Sequence, residues 1–485
     1  MEPAATIARM LTVDQSIEAF LEAHHEERLE SYKELLRIPS ISTLPEHRPD
    51  IERAARWIAD EMTRIGIENA AILPTAGNPI VYGDWLHADG APTILVYGHY
   101  DVQPVDPIEL WETAPFEPFV RGEGVEARMV GRGSADDKGQ IHMHLKTAEA
   151  ILATRGKLPL NLKFIFEGEE EHSSIGLDEW LAENKDRLAA DAIVISDTGF
   201  FEGNIPALTT SLRGMVYVQI DVTGGPIDLH SGSYGGAVQN PANALARIIT
   251  ELKDASGKVL VPGFYDDVVP PTKQERFEIS CLPFDEGDFH RVTGVPELVV
   301  GEPGFTLLEC MGVRPTLDVN GIWGGFTGEG SKTIIPAHAH AKVSCRLVPD
   351  QDGEKLFQKI RDYVLQVAPR GVNVEVQNLG TARALRMDPD LPVSKAATRA
   401  LKATHGVDPV FIRSGGSIPV AALFEDILGL PITMLGFTNP DDNAHAPNET
   451  MVLLNYEQGL RTITRLWDDL GTMSPLEARM GGTTA

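Results

Sequence analysis

The segment TILVYGHYDVQPVD, residues 93–106, decides how the rest of the chain is read. Its apolar run from Ile94 to Tyr97 predicts a buried strand. The run ends at Gly98 and hands on His99 and Asp101, two residues apart and therefore on one face of extended chain. An imidazole beside a carboxylate at a strand tip is either a core histidine held by an acid or half of a site. The neighbouring segments decide between them.

LNLKFIFEGEEEHSS, residues 160–174, predicts a second strand ending in acids, and AIVISDTG, residues 192–199, a third. Between them GRGSADDKGQ, residues 131–140, is a glycine-rich loop feeding a helix to Ala153. Upstream, helical spacing runs from Ile17 to Leu36 and again from Ile51 to Ile65. Strands alternating with helices predict an α/β sheet with functional loops at the strand tips.

After Ser211 the pattern changes. SLRGMVYVQIDVTG and AHAHAKVSCRLVP alternate as half-exposed strands do, NVEVQNL is a third strand, and helices follow Asn240 and Gly353. This set predicts a two-layer α+β domain over 211–386, inserted into an α/β domain made of 1–210 and 387–485. Val261 to Pro271, rich in proline, reads as a surface loop.

Five positions at strand ends and loops carry metal-type ligands: His99, Asp136, the Glu169–Glu170 pair, Asp197 and, in DDNAHAPNE, His445. Nitrogen and oxygen donors without cysteine suit catalytic zinc or manganese. Two histidines and several carboxylates exceed the needs of one tetrahedral ion. A carboxylate bridging two ions uses them all.

Composition narrows the partners. The 485 residues carry 70 Asp and Glu against 42 Lys and Arg, a formal net charge of -28. That field repels phosphate backbones and anionic lipid, so neither nucleic acid nor membrane is expected as a partner. The three cysteines have no CxxC spacing and no signal-peptide pattern is visible, so a cytoplasmic protein is expected. HHEERLE holds no HExxH, and GRGSADDKG matches no phosphate-loop pattern.

The motifs GHYDVQP, GRGSADDKG, EGEEE, SDTG, HSGSYGG, RSGGSIP and HAPNE resemble those of the co-catalytic zinc peptidases. That family includes aminoacylases, carboxypeptidase G, succinyl-diaminopimelate desuccinylase and carnosinases. The resemblance spans nearly the whole chain, and the spelling looks most like the carnosinase-like non-specific dipeptidases. It implies a catalytic domain with a mixed central sheet flanked by helices, and an inserted lid and dimerisation domain. It also implies two divalent ions per chain, Zn2+ or Mn2+. Asp136 would bridge them, with His99 and Asp197 on one ion and Glu170 and His445 on the other. Asp101 would orient His99, and Glu169 would be the general base that activates the attacking water. Asp136 and Asp137 would be joined by a cis peptide.

From the insert, His230 would stabilise the oxyanion across the interface of a homodimer, with Thr333 acting beside it. Arg346 and Ser417 would hold the carboxylate of a substrate with a free C-terminus. The implied reaction is hydrolysis of the amide of a dipeptide. Hydrolysis of an N-acyl amino acid is the alternative. Ser414 keeps the alternative open, standing where the dipeptidase branch carries a glutamate. His172 and Ser173 also depart from the small apolar residue and glycine familiar there.

Overall fold

A computed structural model of the chain describes residues 13–299, 301–416 and 418–479. It divides into two compact units. One comprises the described residues up to Thr210 with Met387–Ile412 and those from Leu423 onward, the other Ser211–Arg386 with Arg413–Ala422. The segment 413–422, assigned to the metal-bearing domain from sequence, groups instead with the second unit.

In the first unit the strand predicted from residues 94–97 runs Thr93–His99. It lies between Asn161–Glu167 and Ala192–Ile195, parallel to both, and Ile432–Met434 adds in parallel beside the latter. Ile80–Trp85 and Glu68–Leu73 extend one side antiparallel, and Ala207–Leu212 pairs antiparallel with Ile432–Met434 on the other, so the sheet is mixed. Alternation assigns the faces. Ile94 and Val96 join the large core with Met62, Ile141 and Ile151, while Tyr97 meets Phe424 edge-on with ring centroids 5.1 Å apart. Four parallel strands direct their C-terminal ends to one edge, where open α/β sheets hold their ligands.

Helix Arg48–Ile65 starts with a proline in its first turn and stops at Gly66, whose φ of +91° few side chains adopt. Helix Lys138–Arg155 begins directly after the GRGSADD loop and is buried along most of its length. The single helix expected over Ile17–Leu36 is two, Gln15–Ala23 and His25–Leu36, broken at His24 with φ −107° and ψ 18°. The apolar spacing continues across this break, so periodicity alone does not register it. Among the described residues no helix is long and apolar enough to cross a membrane.

The second unit holds a four-stranded antiparallel sheet, in the order Thr316–Gly324, His338–Leu347, Gly214–Thr223, Asn373–Ala382. The first of these was not anticipated. Only its opening residues are well buried, so it carries little apolar alternation. Val216, Val218, Ile220 and Val222 pack with Ala341, Val343 and Cys345 against Leu245 and Ile248 of helix Pro241–Leu252 and Leu356 and Ile360 of helix Gly353–Val367. Asn240 caps the first of these helices, its Oδ1 accepting from Ala242 N at 2.8 Å. A short ribbon pairs Leu229–His230 with Ile334–Ile335. All three cysteines are free, and Cys281 alone is exposed.

Candidate metal centre

His99, the last residue of strand Thr93–His99, is fully buried. A Cβ at Gly98 would run into Ile141 and the Asp137 carboxylate, so the residue before the histidine must be glycine. His99 Nδ1 lies 3.1 Å from Asp101 O and 3.4 Å from Asp101 Oδ1. This fixes which ring nitrogen faces outward. The outward Nε2 is 2.9 Å from Asp136 Oδ1 and 4.0 Å from Asp197 Oδ1.

Asp136 uses its other oxygen elsewhere. Its Oδ2 is 2.8 Å from His445 Nε2, which also lies 3.3 Å from Glu171 Oε1. Two groups of donors result, His99–Asp136–Asp197 and Asp136–Glu171–His445, each with its donor atoms within 4.8 Å of one another. Asp136 belongs to both and offers each a separate oxygen. The Asp136–Asp137 peptide is cis. Asp137 opens the following helix, but its side chain accepts from His99 N at 3.2 Å rather than from the helix's own amides.

The EGEEE acids fall one residue away from the sequence reading. Glu171, not Glu170, lies with Asp136 and His445. Gln103 Nε2 donates to Glu171 Oε2 at 2.6 Å, leaving the buried Oε1 without a hydrogen bond. Glu169 turns away, its Oε2 accepting from Asn78 N at 2.5 Å and its Oε1 lying 3.6 Å from His172 Nδ1. Burial pushes the Glu170 carboxyl well up against the pull of His99, and Asp197, Glu171 and Asp136 add to the rise. The charges acting on Glu169 are instead His172, Asp101 and Arg48.

The register is set by Asp101. Its Oδ1 accepts from Glu170 N at 3.1 Å and its Oδ2 from Glu171 N at 3.0 Å. One side chain thus steadies both His99 and the turn Glu170–His172.

The charge balance fits cations. Burial opposes ionisation of Asp136, yet hydrogen bonds from His445 and His99 hold its carboxyl well below the usual range. Asp136 and Glu171 in turn push His445 up to about 11. Burial, then Asp136, push the Asp197 carboxyl well up. Crowded carboxylates that draw protons onto two imidazoles form a donor set of oxygens and nitrogens suited to divalent ions.

Two acids missing from the sequence reading hold the loops. Buried Glu449 accepts from Gly133 N and Ala135 N at 2.8 Å, from Asp136 N at 3.0 Å and from Arg132 Nη1 at 2.7 Å. Buried Asp442 accepts from Asn439 N at 2.6 Å and Arg128 Nη1 at 2.9 Å, pinning the turn that carries His445. The HAPNE motif contained Glu449, but only the folded loop shows its role. Glu449→Ala strands the Arg132 charge, so urea unfolding should report a loss of about 3–5 kcal/mol. A loss below about 1 kcal/mol would mean that water takes over those donors.

The remaining expected residues lie in the second unit. His230 lies on the short ribbon opposite Ile334, and Thr333 immediately precedes the ribbon, its O accepting from Ser231 N at 3.0 Å. Both side chains are exposed. Arg346 pairs with Met215 in the four-stranded sheet. Ser417 lies outside the described residues.

Comparison with known proteins accords with this geometry. The profile of Peptidase family M20/M25/M40 matches residues 95–469. The chain is 34% identical over 454 residues to the Cys-Gly metallodipeptidase DUG1 of Candida albicans, covering 90% of this chain and 93% of that protein. It is 30% identical over 469 residues to the human Beta-Ala-His dipeptidase, covering 91% and 90%. The crystal structure of the M20 family metallo-carboxypeptidase Sso-CP2 from Sulfolobus solfataricus superposes with a TM-score of 0.83 at 32% identity, covering 92% of this chain and 100% of that one. A profile matching most of the chain and relatives matched almost end to end make this protein a metallopeptidase belonging to Peptidase family M20/M25/M40.

Proposed function

We propose that this enzyme hydrolyses the amide bond of dipeptides bearing a free C-terminal carboxylate, using two divalent ions, Zn2+ or Mn2+. The carrying observation is Asp136, whose two oxygens serve two separate donor groups. His99, Asp136 and Asp197 would hold one ion, and Asp136, Glu171 and His445 the other. Ions so held supply Lewis acidity to a carbonyl oxygen and to an attacking water.

Glu170 is the general base. Its environment raises its affinity for a proton, and it belongs to neither donor group. It takes the proton of the attacking water and passes it to the leaving amine. Asp101 keeps His99 and the Glu170 turn in place. In the second unit, Arg346 binds the substrate carboxylate as a two-pronged donor. His230 meets the developing oxyanion, with Thr333 beside it. The names of the relatives, two dipeptidases and a metallo-carboxypeptidase, support a small peptide with a free C-terminus.

The test is a paired assay of a dipeptide and its N-acetylated form, before and after chelation and with each metal restored. Activity on the dipeptide that disappears on chelation is expected. Preference for the N-acetylated form would replace the dipeptidase reading with the N-acyl-amino-acid one. Three free cysteines support a reducing, cytoplasmic location.

We further propose a homodimer in which His230 serves the partner's centre. His230→Ala is expected to stay folded and metal-loaded while turnover falls by about 10²–10³-fold, the usual effect of removing one oxyanion donor. Mixed with inactive Glu170→Gln chains and allowed to exchange, it should recover up to half the wild-type activity per heterodimer. Confirmed exchange without recovery rules out service in trans.

A further inference from the structure

Arg213 stands at the break between strands Ala207–Leu212 and Gly214–Thr223. The register pairs Met215 with Arg346 and Gly214 with Leu347. Arg213 immediately precedes the Gly214–Leu347 pair, which sets it beside Arg346 at the end of the sheet. Arg346 points away from the helices, because its neighbours Cys345 and Leu347 point into the helix-packed core.

The guanidinium of Arg213 is only partly used. Its Nε donates to Gly415 O at 2.9 Å, and its backbone N donates to Gly416 O at 2.9 Å. A Cβ at Gly415 would lie 3.0 Å from Arg213 Nη2 and 3.2 Å from Met311 O, so glycine allows this close approach. Nη1, in contrast, is buried and has no hydrogen-bond partner among the described residues. Burial, and then the charge of Arg346, push the Arg213 guanidinium down to about 10, with Asp318 opposing. A buried guanidinium that keeps one donor unpaired beside a second cation favours the approach of an anion.

We propose that Arg213 is a second guanidinium of the carboxylate subsite, donating from Nη1 to the substrate carboxylate that Arg346 also binds. The inference rests on the reading of Arg346 given above. A carboxylate has lone pairs enough for both forks. Arg213 would thereby tie the Gly415–Gly416 turn to the presence of substrate.

The experiment measures kcat and KM of the metal-loaded enzyme for a dipeptide and for its C-terminal amide, in wild type, Arg346→Gln, Arg213→Gln and Arg213→Lys. Arg213→Gln is expected to raise KM for the acid about 10–100-fold, the range of one charge-assisted hydrogen bond. KM for the amide and kcat for both should stay close to wild type, and Arg213→Lys should restore part of the loss. Equal losses on acid and amide would make Arg213 only a brace for the turn and overturn the proposal, as would an unchanged KM. Should Arg213→Gln fail to fold, Arg213→Lys decides by the same comparison of acid with amide. If wild type itself does not distinguish acid from amide, the Arg346 reading fails. If Arg346→Gln abolishes the distinction and the Arg213 variants keep it, only the present inference fails.

Discussion

Glu170→Gln is expected to lower turnover by about 10²–10⁴-fold, the range of a lost general base, while metal content stays at the wild-type level. Glutamine keeps the shape and removes only the site that receives a proton. Glu170 belongs to neither donor group, so the ions should remain. The informative control is Glu169→Gln, one residue earlier. Its carboxylate accepts from Asn78 N and faces His172, so its loss should cost about 1 kcal/mol of stability and leave turnover near wild type. Single-turnover kinetics with elemental analysis of both variants settles the register. A collapse of turnover in Glu169→Gln with Glu170→Gln unaffected would restore the assignment made from sequence.

Asp136→Ala is expected to empty the centre and abolish activity. The two donor groups share only this residue, which offers Oδ1 toward His99 and Oδ2 toward His445. Removing it leaves each group two ligands and takes away the one negative charge that both groups share. Asp197→Ala and Glu171→Ala each damage one group, so each is expected to retain about one ion per chain against an expected two in wild type. Metal-to-protein ratios after gel filtration measure this directly, with circular dichroism as the check on folding. An Asp136→Ala enzyme that keeps one tightly held ion would show that the groups are independent and that no bridge exists.

The centre was legible in the sequence to the extent that strand tips announce themselves. An apolar run ending in Gly98, His99 and Asp101 has one physical reading once Asp197 and the EGEEE acids end similar runs, because parallel strands bring their C-terminal ends to one edge. The inserted sheet was legible through alternation, clear in Gly214–Thr223 and His338–Leu347 and faint in Thr316–Gly324, which escaped notice. Arg413–Ala422 escaped assignment because its packing partners are remote in sequence. Arg213 N and Nε reach the Gly415–Gly416 turn across some two hundred positions.

What the sequence determined by itself is the inventory: two imidazoles, a surplus of carboxylates, no thiolate, and strand tips to carry them. What the tertiary structure alone decided is which of three consecutive acids lies with Asp136 and His445. Period-two alternation ends with the strand at Glu167, and in the turn that follows each residue points in a new direction. That turn is held by Asp101, from a different strand tip, accepting the amides of Glu170 and Glu171. Spacing within EGEEE carries no information about that contact, so only the folded chain could bring Glu171, and neither Glu169 nor Glu170, together with Asp136 and His445.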